Sequence, residues 1–108
     1  MSTYNPDLWV IVKLKFNDSD ESYRKVFASW YGGYLGSDSW KLSSGITNII
    51  EKDTYYEIHN ESGSIYNCRK GSEGMSGYAA GVFESFVRDL KGKGSIEIVK
   101  NEDYKVTS

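Results

Sequence analysis

Along residues 8–16, Leu8, Val10, Val12, Leu14 and Phe16 alternate with Trp9, Ile11, Lys13 and Lys15, the two-residue period of a strand with distinct faces. Residues 8–12 are apolar at every position, so that end of the strand is predicted to be buried on both sides. The polar run 17–21 reads as a solvated turn. Residues 23–30 alternate again, with Tyr23 and Phe27 opposite Arg24, Val26 and Ala28, and the two segments predict a hairpin. Gly32, Gly33, Gly36 and Gly45 break the pattern that follows, leaving a short strand around Trp40, Lys41 and Leu42. Residues 46–51, 54–60 and 64–69 then predict a three-stranded meander whose last turn is at Ser62 and Gly63.

One segment carries the other period. Ala79, Val82, Phe83, Phe86, Val87 and Leu90 recur at spacings of three and four across residues 76–92, with Glu84, Ser85, Arg88, Asp89 and Lys91 on the opposite side. An amphipathic helix is predicted there, stopped by Gly92. A last strand is predicted over residues 95–100, with Ile96 and Ile98 on one face, and residues 101–108 are expected to fray. Strands, then one helix, then a strand predict an α+β fold: a two-layer sandwich in which one long amphipathic helix lies on one face of a mainly antiparallel sheet. No repeat or low-complexity segment divides the chain, so residues 1–108 are expected to form a single domain. In that arrangement Phe83, Phe86 and Leu90 rank among the costliest truncations.

Length and charge narrow the class. A chain of 108 residues can bury roughly two thirds of its unfolded surface around one core without staples. The single cysteine, Cys68, cannot form an internal disulfide, and the polar residues 1–5 lack an apolar signal core. No apolar run approaches the roughly 20 residues of a membrane helix. These features predict a cytoplasmic protein with no membrane segment. A formal charge of -2 from 13 basic and 15 acidic residues lacks the cationic excess on which bulk nucleic-acid binding relies. The distinctive excess is aromatic, with nine tyrosines and three tryptophans beside one proline. Both side chains join a flat apolar face to a polar tip, which suits cores and contact surfaces alike.

The richest stretch is residues 29–40, where Trp30, Tyr31, Gly32, Gly33, Tyr34, Asp38 and Trp40 are candidate contact residues for a partner or ligand. Long irregular segments in small domains are disproportionately functional, and glycines let a bound surface approach the backbone. The competing expectation places Trp30 and Trp40 in the core. A second Gly-rich stretch, residues 69–77, joins a strand to the helix. There Arg69 and Lys70, with Ser76 and Gly77 at the helix start, are candidates for holding an anion. The spacing G-x-x-G-x-x-G matches neither the P-loop nor the dinucleotide-binding pattern, and the competing reading is a flexible connection capped by Ser76. If both stretches lie at one end of the sheet, a nucleotide fits between them, its base on an aromatic ring and its phosphate at the helix start.

A two-residue turn at Ser62 and Gly63 places Glu57 opposite Cys68 and His59 opposite Tyr66, gathering thiol, imidazole and carboxylate on one face. That grouping has no evident oxyanion hole, and one His with one Cys cannot close a structural zinc site. Asp18, Asp20 and Glu21 belong to the solvated turn. No catalytic residue, metal or cofactor is expected. The run Trp30-Tyr31-Gly32-Gly33-Tyr34 through Asp38-Ser39-Trp40-Lys41 to Ser44-Gly45-Ile46 resembles small uncharacterised proteins encoded by tailed bacteriophages. The resemblance implies a cytoplasmic protein made during infection that binds a host or defence component. The expected function is a non-enzymatic binding module that meets a protein partner through the aromatic Gly-rich loop. A small-ligand, nucleotide-binding protein and a thiol-dependent enzyme using Cys68 are the alternatives.

Overall fold

The computed structural model describes residues 2–32 and 38–106. Among these, eight strands and one α-helix follow in the order β1 (Thr3–Tyr4), β2 (Leu8–Phe16), β3 (Ser22–Trp30), β4 (Ser39–Leu42), β5 (Ile46–Glu51), β6 (Tyr55–Asn60), β7 (Ile65–Arg69), α1 (Gly77–Leu90) and β8 (Gly94–Val99), with a 3-10 turn at Asn101–Asp103. The predicted β2–β3 hairpin and β5–β6–β7 meander both form. They belong to different sheets. One sheet has the order β4-β3-β2-β8 and is antiparallel throughout; the other has the order β1-β7-β6-β5, in which β1 alone runs parallel to its neighbour.

The central strand β2 explains how the layers stack. Trp9 and Ile11 point with Val26 and Ala28 toward Ile49, Tyr56, Ile58, Tyr66 and Cys68 of the second sheet. Val10 and Val12 point with Phe27 toward Ala79, Val82, Phe83 and Phe86 of α1. Of the uniformly apolar stretch 8–12, residues 9–12 are therefore buried on both faces, as the pattern predicts, while Leu8 at its start is half-buried. The α+β class holds, but the strands divide between two sheets, and the order of layers is helix, sheet, sheet. Two crossings cause the division. Residues 5–7 carry the chain from β1 to β2, with Pro6 fully buried. Residues 43–45 carry it from β4 to β5, with Ser43 N–H donating to Val26 O at 2.9 Å.

Helix α1 begins where Ser76 caps it, the hydroxyl accepting from Ala79 N–H at 3.1 Å, a cap worth about 1 kcal/mol. It stops at Gly92, whose φ of +83 is a left-handed conformation that side chains resist. Its inward face is less enclosed than its periodicity predicts. Ala79 is buried, whereas Val82, Phe83 and Phe86 are half-buried against Val10, Val12 and Phe27. Phe83→Ala and Phe86→Ala are accordingly expected to cost about 1 to 3 kcal/mol each in a urea titration. A loss above about 4 kcal/mol at either position would mean that the face is closed over.

The segment expected to fray is held at its start: Tyr104 is 3% exposed and packs against Tyr56 at 5.3 Å and Trp9 at 5.8 Å. Among the described residues, no helix is long and apolar enough to cross a membrane.

Candidate functional site

In the β3–β4 ladder Trp30 pairs with Ser39 and Ser29 with Trp40, so the pleat sends the two indoles to opposite faces of the sheet. Trp30 turns toward the second sheet, edge-on to Tyr4 at 6.3 Å, with Nε1 donating to Asn5 O at 3.0 Å. Trp40 turns toward α1, against Phe27 at 5.8 Å and Phe86 at 5.4 Å, and stays 37% exposed. Both indoles anchor the loop between them. Tyr31 behaves differently: its side chain is exposed, and its N–H donates to Asp7 Oδ2 at 2.9 Å. Gly32 N–H donates to Asp38 Oδ1 at 3.0 Å, so Asp38 braces the loop base. Gly33 and Tyr34 lie outside the described residues.

Asp7 also lines a cavity of about 430 Å³ with Asn5, Tyr55, Asn67 and Arg69. Because β1 runs beside β7, Asn5 reaches Asn67, whose Nδ2 donates to Asn5 Oδ1 at 3.3 Å. One residue from each Gly-rich stretch, Tyr31 and Arg69, thus meets the crossing at residues 5–7. The sequence reading misses Asn5, Asp7, Tyr55 and Asn67, since β1 spans two residues and shows no period. A wider recess of about 800 Å³ lies away from this place; its lining mixes Lys13 and Arg24 with Glu97 and Glu102, so it favours no ligand charge.

The rest of the second Gly-rich stretch is committed to structure. Trp9 Nε1 donates to Arg69 O at 2.8 Å, Trp9 N–H to Ser72 O at 3.2 Å, and Gly74 N–H to Trp9 O at 2.9 Å. Residues 72–74 therefore run along β2 where β8 does not reach it. Gly71 N–H donates to the Glu73 carboxylate at 2.7 Å, an anion the loop already carries. Lys70 Nζ reaches Glu51 at 2.6 Å, and the Ser76 hydroxyl is engaged by Ala79 above Gly77. Lys70 is thus paired with a carboxylate and Ser76 is spent on the helix cap, while Arg69 lines the cavity beside Asp7. Residues 72–74 flank one side of β2, while β3 and the base of the aromatic loop flank the other.

The β6–β7 register corrects the thiol grouping. Glu57 pairs with Asn67, His59 with Ile65, and Cys68 with Tyr56, which puts Cys68 on the opposite face from Glu57 and His59. His59 Nε2 and Glu57 Oε1 lie 2.8 Å apart on the outer face, while Cys68 is buried in the core. Burial, reinforced by the charge of Glu73, pushes the Cys68 thiol up and away from the thiolate that nucleophilic attack requires. A thiol reagent at mildly alkaline pH is expected to leave folded Cys68 unmodified and to react only as fast as the protein unfolds. Rapid labelling of the folded chain would return Cys68 to the list of nucleophiles. Glu21 accepts from the Tyr23 hydroxyl at 2.9 Å, and among the described residues no three His, Cys, Asp or Glu side chains gather closely enough to hold a metal ion. No protein-family model, curated protein or solved structure matches the chain.

Proposed function

We propose that the protein is a non-enzymatic binding module whose contact surface centres on Tyr31 and the adjoining cavity of Asp7 and Arg69. The observation that carries this reading is Tyr31 itself: an aromatic side chain 59% exposed on a backbone fixed by Asp7. A tyrosine whose main chain is already ordered loses little freedom on docking, and aromatic and arginine anchors supply most of the energy of protein interfaces. A protein partner suits a surface that joins ring, carboxylate, guanidinium and amides. In the bacteriophage setting implied by the sequence resemblance, that partner is a host or defence component.

Tyr31→Ala and Arg69→Ala are expected to weaken partner binding by at least about 1 kcal/mol each, roughly fivefold. Stability should change by less than about 0.5 kcal/mol. Tyr34→Ala completes the series as the second tyrosine of the run. The partner is captured from host lysate with the wild-type chain and identified by mass spectrometry, and its affinity for each variant is measured by calorimetry beside a denaturation curve. Full affinity in all three folded variants would place the contact surface elsewhere. The cavity supports a small-ligand reading as the alternative, in which a nucleotide alone raises the melting temperature by linkage.

A further inference from the structure

The edge of a sheet presents unpaired N–H and C=O groups that invite another strand, and proteins blunt such edges with short strands, bulges or proline. Three of the four edges here are blunted. β1 spans two residues and β4 four, and β5 carries a bulge between Ile46 and Asn48. β8 differs: residues 94–99 pair with residues 16–11 of β2 without a bulge, the strand holds no proline, and among the described residues no hydrogen bond reaches its outer edge. The surface beside that edge is apolar. Phe16, which pairs with Gly94, is 36% exposed and Ile98 is 45% exposed, both on the α1 face of the sheet. On α1 itself, Phe86 turns toward Trp40 of β4. Val87, about 100° further round the helix, lies on the other flank, toward β8, with inward Phe83 between them, and it too is exposed.

The occupant that fits this edge is a second copy of the chain, because the edge is complementary to itself. A two-fold axis normal to the sheet sets β8 antiparallel to its copy with opposed residues on one face, so the pairing must centre on a single residue. Centres at Ser95 or Ile98 run past an end of the strand. A centre at Glu97 sets two carboxylates directly opposite each other, which is destabilising. A centre at Ile96 opposes Ile96 to Ile96, Gly94 to Ile98 and Ser95 to Glu97. Gly94 has no side chain, so the second copy's Ile98 meets open space there and reaches toward Phe16, the neighbour of Gly94 on β2. On the opposite face the second copy's Glu97 comes against Ser95, whose neighbour on β2 is the exposed Lys15. Apolar groups thus meet on one face and opposite charges on the other, and the symmetry makes every contact twice.

We propose that two copies of this chain form a two-fold dimer, β8 against β8 in the register centred on Ile96, which joins their β4-β3-β2-β8 sheets edge to edge. The dimer uses no residue of the Tyr31 surface, and either can fail without the other. Sedimentation equilibrium of the full chain from low to high micromolar concentration is expected to show a mass that rises from one chain toward two. Ile98→Lys is expected to raise the dissociation constant at least about tenfold and, at an exposed position, to keep the circular dichroism of the wild type. Cysteine pairs read the register. Ser95 and Glu97 are both exposed and Cys68 is buried, so oxidation of an equimolar mixture of Ser95→Cys and Glu97→Cys chains should give mainly the mixed disulfide dimer. A wild type that stays monomeric throughout overturns the proposal. An Ile98→Lys variant that dimerises as tightly as the wild type overturns it as well, as does a mixture in which each cysteine variant cross-links to itself as readily as to the other.

Discussion

Trp9→Ala is expected to remove about 4 to 5 kcal/mol of stability, enough to leave much of a marginal domain unfolded at room temperature. Trp9 is 0% exposed and stands where three parts of the chain meet. Its ring lies edge-on to Tyr56 of the second sheet at 5.9 Å and tilted against Tyr104 of the tail at 5.8 Å. Its indole N–H donates to Arg69 O at 2.8 Å. Alanine keeps the main-chain bonds to Ser72 and Gly74, so the loss isolates the side chain: a large cavity between the sheets and a carbonyl without its donor. Trp9→Phe divides these terms in part, since it keeps an aromatic ring between the sheets but loses the N–H and the rest of the five-membered ring, and it should cost about 1 to 3 kcal/mol. Far-ultraviolet circular dichroism in urea measures both variants without relying on tryptophan emission. A Trp9→Ala loss below about 2 kcal/mol would mean that the sheets pack without this side chain as their centre.

The elements of this fold were legible because each rests on a local pattern. The all-apolar residues 8–12 announce a strand buried on two sides, and Ser76 with Gly92 brackets the helix by capping chemistry that needs no tertiary contact. What the pattern does not carry is which strands share a sheet. Alternation in β5, β6 and β7 requires one covered face and is indifferent to whether helix or sheet covers it. The division is decided at the two crossings, 5–7 and 43–45, where polar residues and one proline give no period to read. The β6–β7 register fails for a sharper reason. Asn60 N–H donates to Ser64 O at 3.1 Å and Gly63 N–H to Asn60 O at 2.9 Å, with Gly63 at φ +89. The hairpin therefore closes through a three-residue loop ending in a left-handed glycine, in place of a two-residue turn. One added loop residue moves every partner by one, and a one-residue shift sends Cys68 from the face of Glu57 and His59 into the core.

The candidate site divides along the same line. Tyr31 was legible because glycine neighbours free it from a ladder, but Asp7 and Asn67 were not, since they reach Tyr31 and Arg69 through a crossing between sheets and a parallel pair two residues long. Trp30 and Trp40 looked alike in sequence and serve alike as anchors, on opposite faces, because adjacent ladder positions alternate.

Deleting residues 101–108 should cost at least about 3 kcal/mol, and Tyr104→Ala alone about 3 to 4 kcal/mol, although this end of the chain reads from its polarity as a loose tail. Its composition is polar at nearly every position, and a single aromatic in such a run gives no periodic signal. The structure nevertheless packs that one ring against both Trp9 and Tyr56, and the Arg24 guanidinium donates to the Tyr104 carbonyl at 2.5 Å, tying the ring to β3. The deletion removes the ring and the carbonyl together, whereas alanine keeps the carbonyl, so the deletion should be the more damaging of the two. Because Trp9 and Tyr104 touch, their alanine substitutions should not add; a double-mutant cycle should return a coupling of about 0.5 kcal/mol or more. Alkaline titration gives an independent reading. Burial pushes the Tyr104 hydroxyl up to about 12 from its ordinary 10.0, so the folded state disfavours the phenolate. The stability this group contributes is whole below its unfolded pKa and drains away as pH climbs from 10 toward 12. Tyr104→Phe, which keeps the ring and cannot ionise, should stay close to wild type at neutral pH and lose less in that alkaline window. A deletion variant that unfolds within about 0.5 kcal/mol of the full chain would show that the tail does fray and that Trp9 and Tyr56 close the core without it.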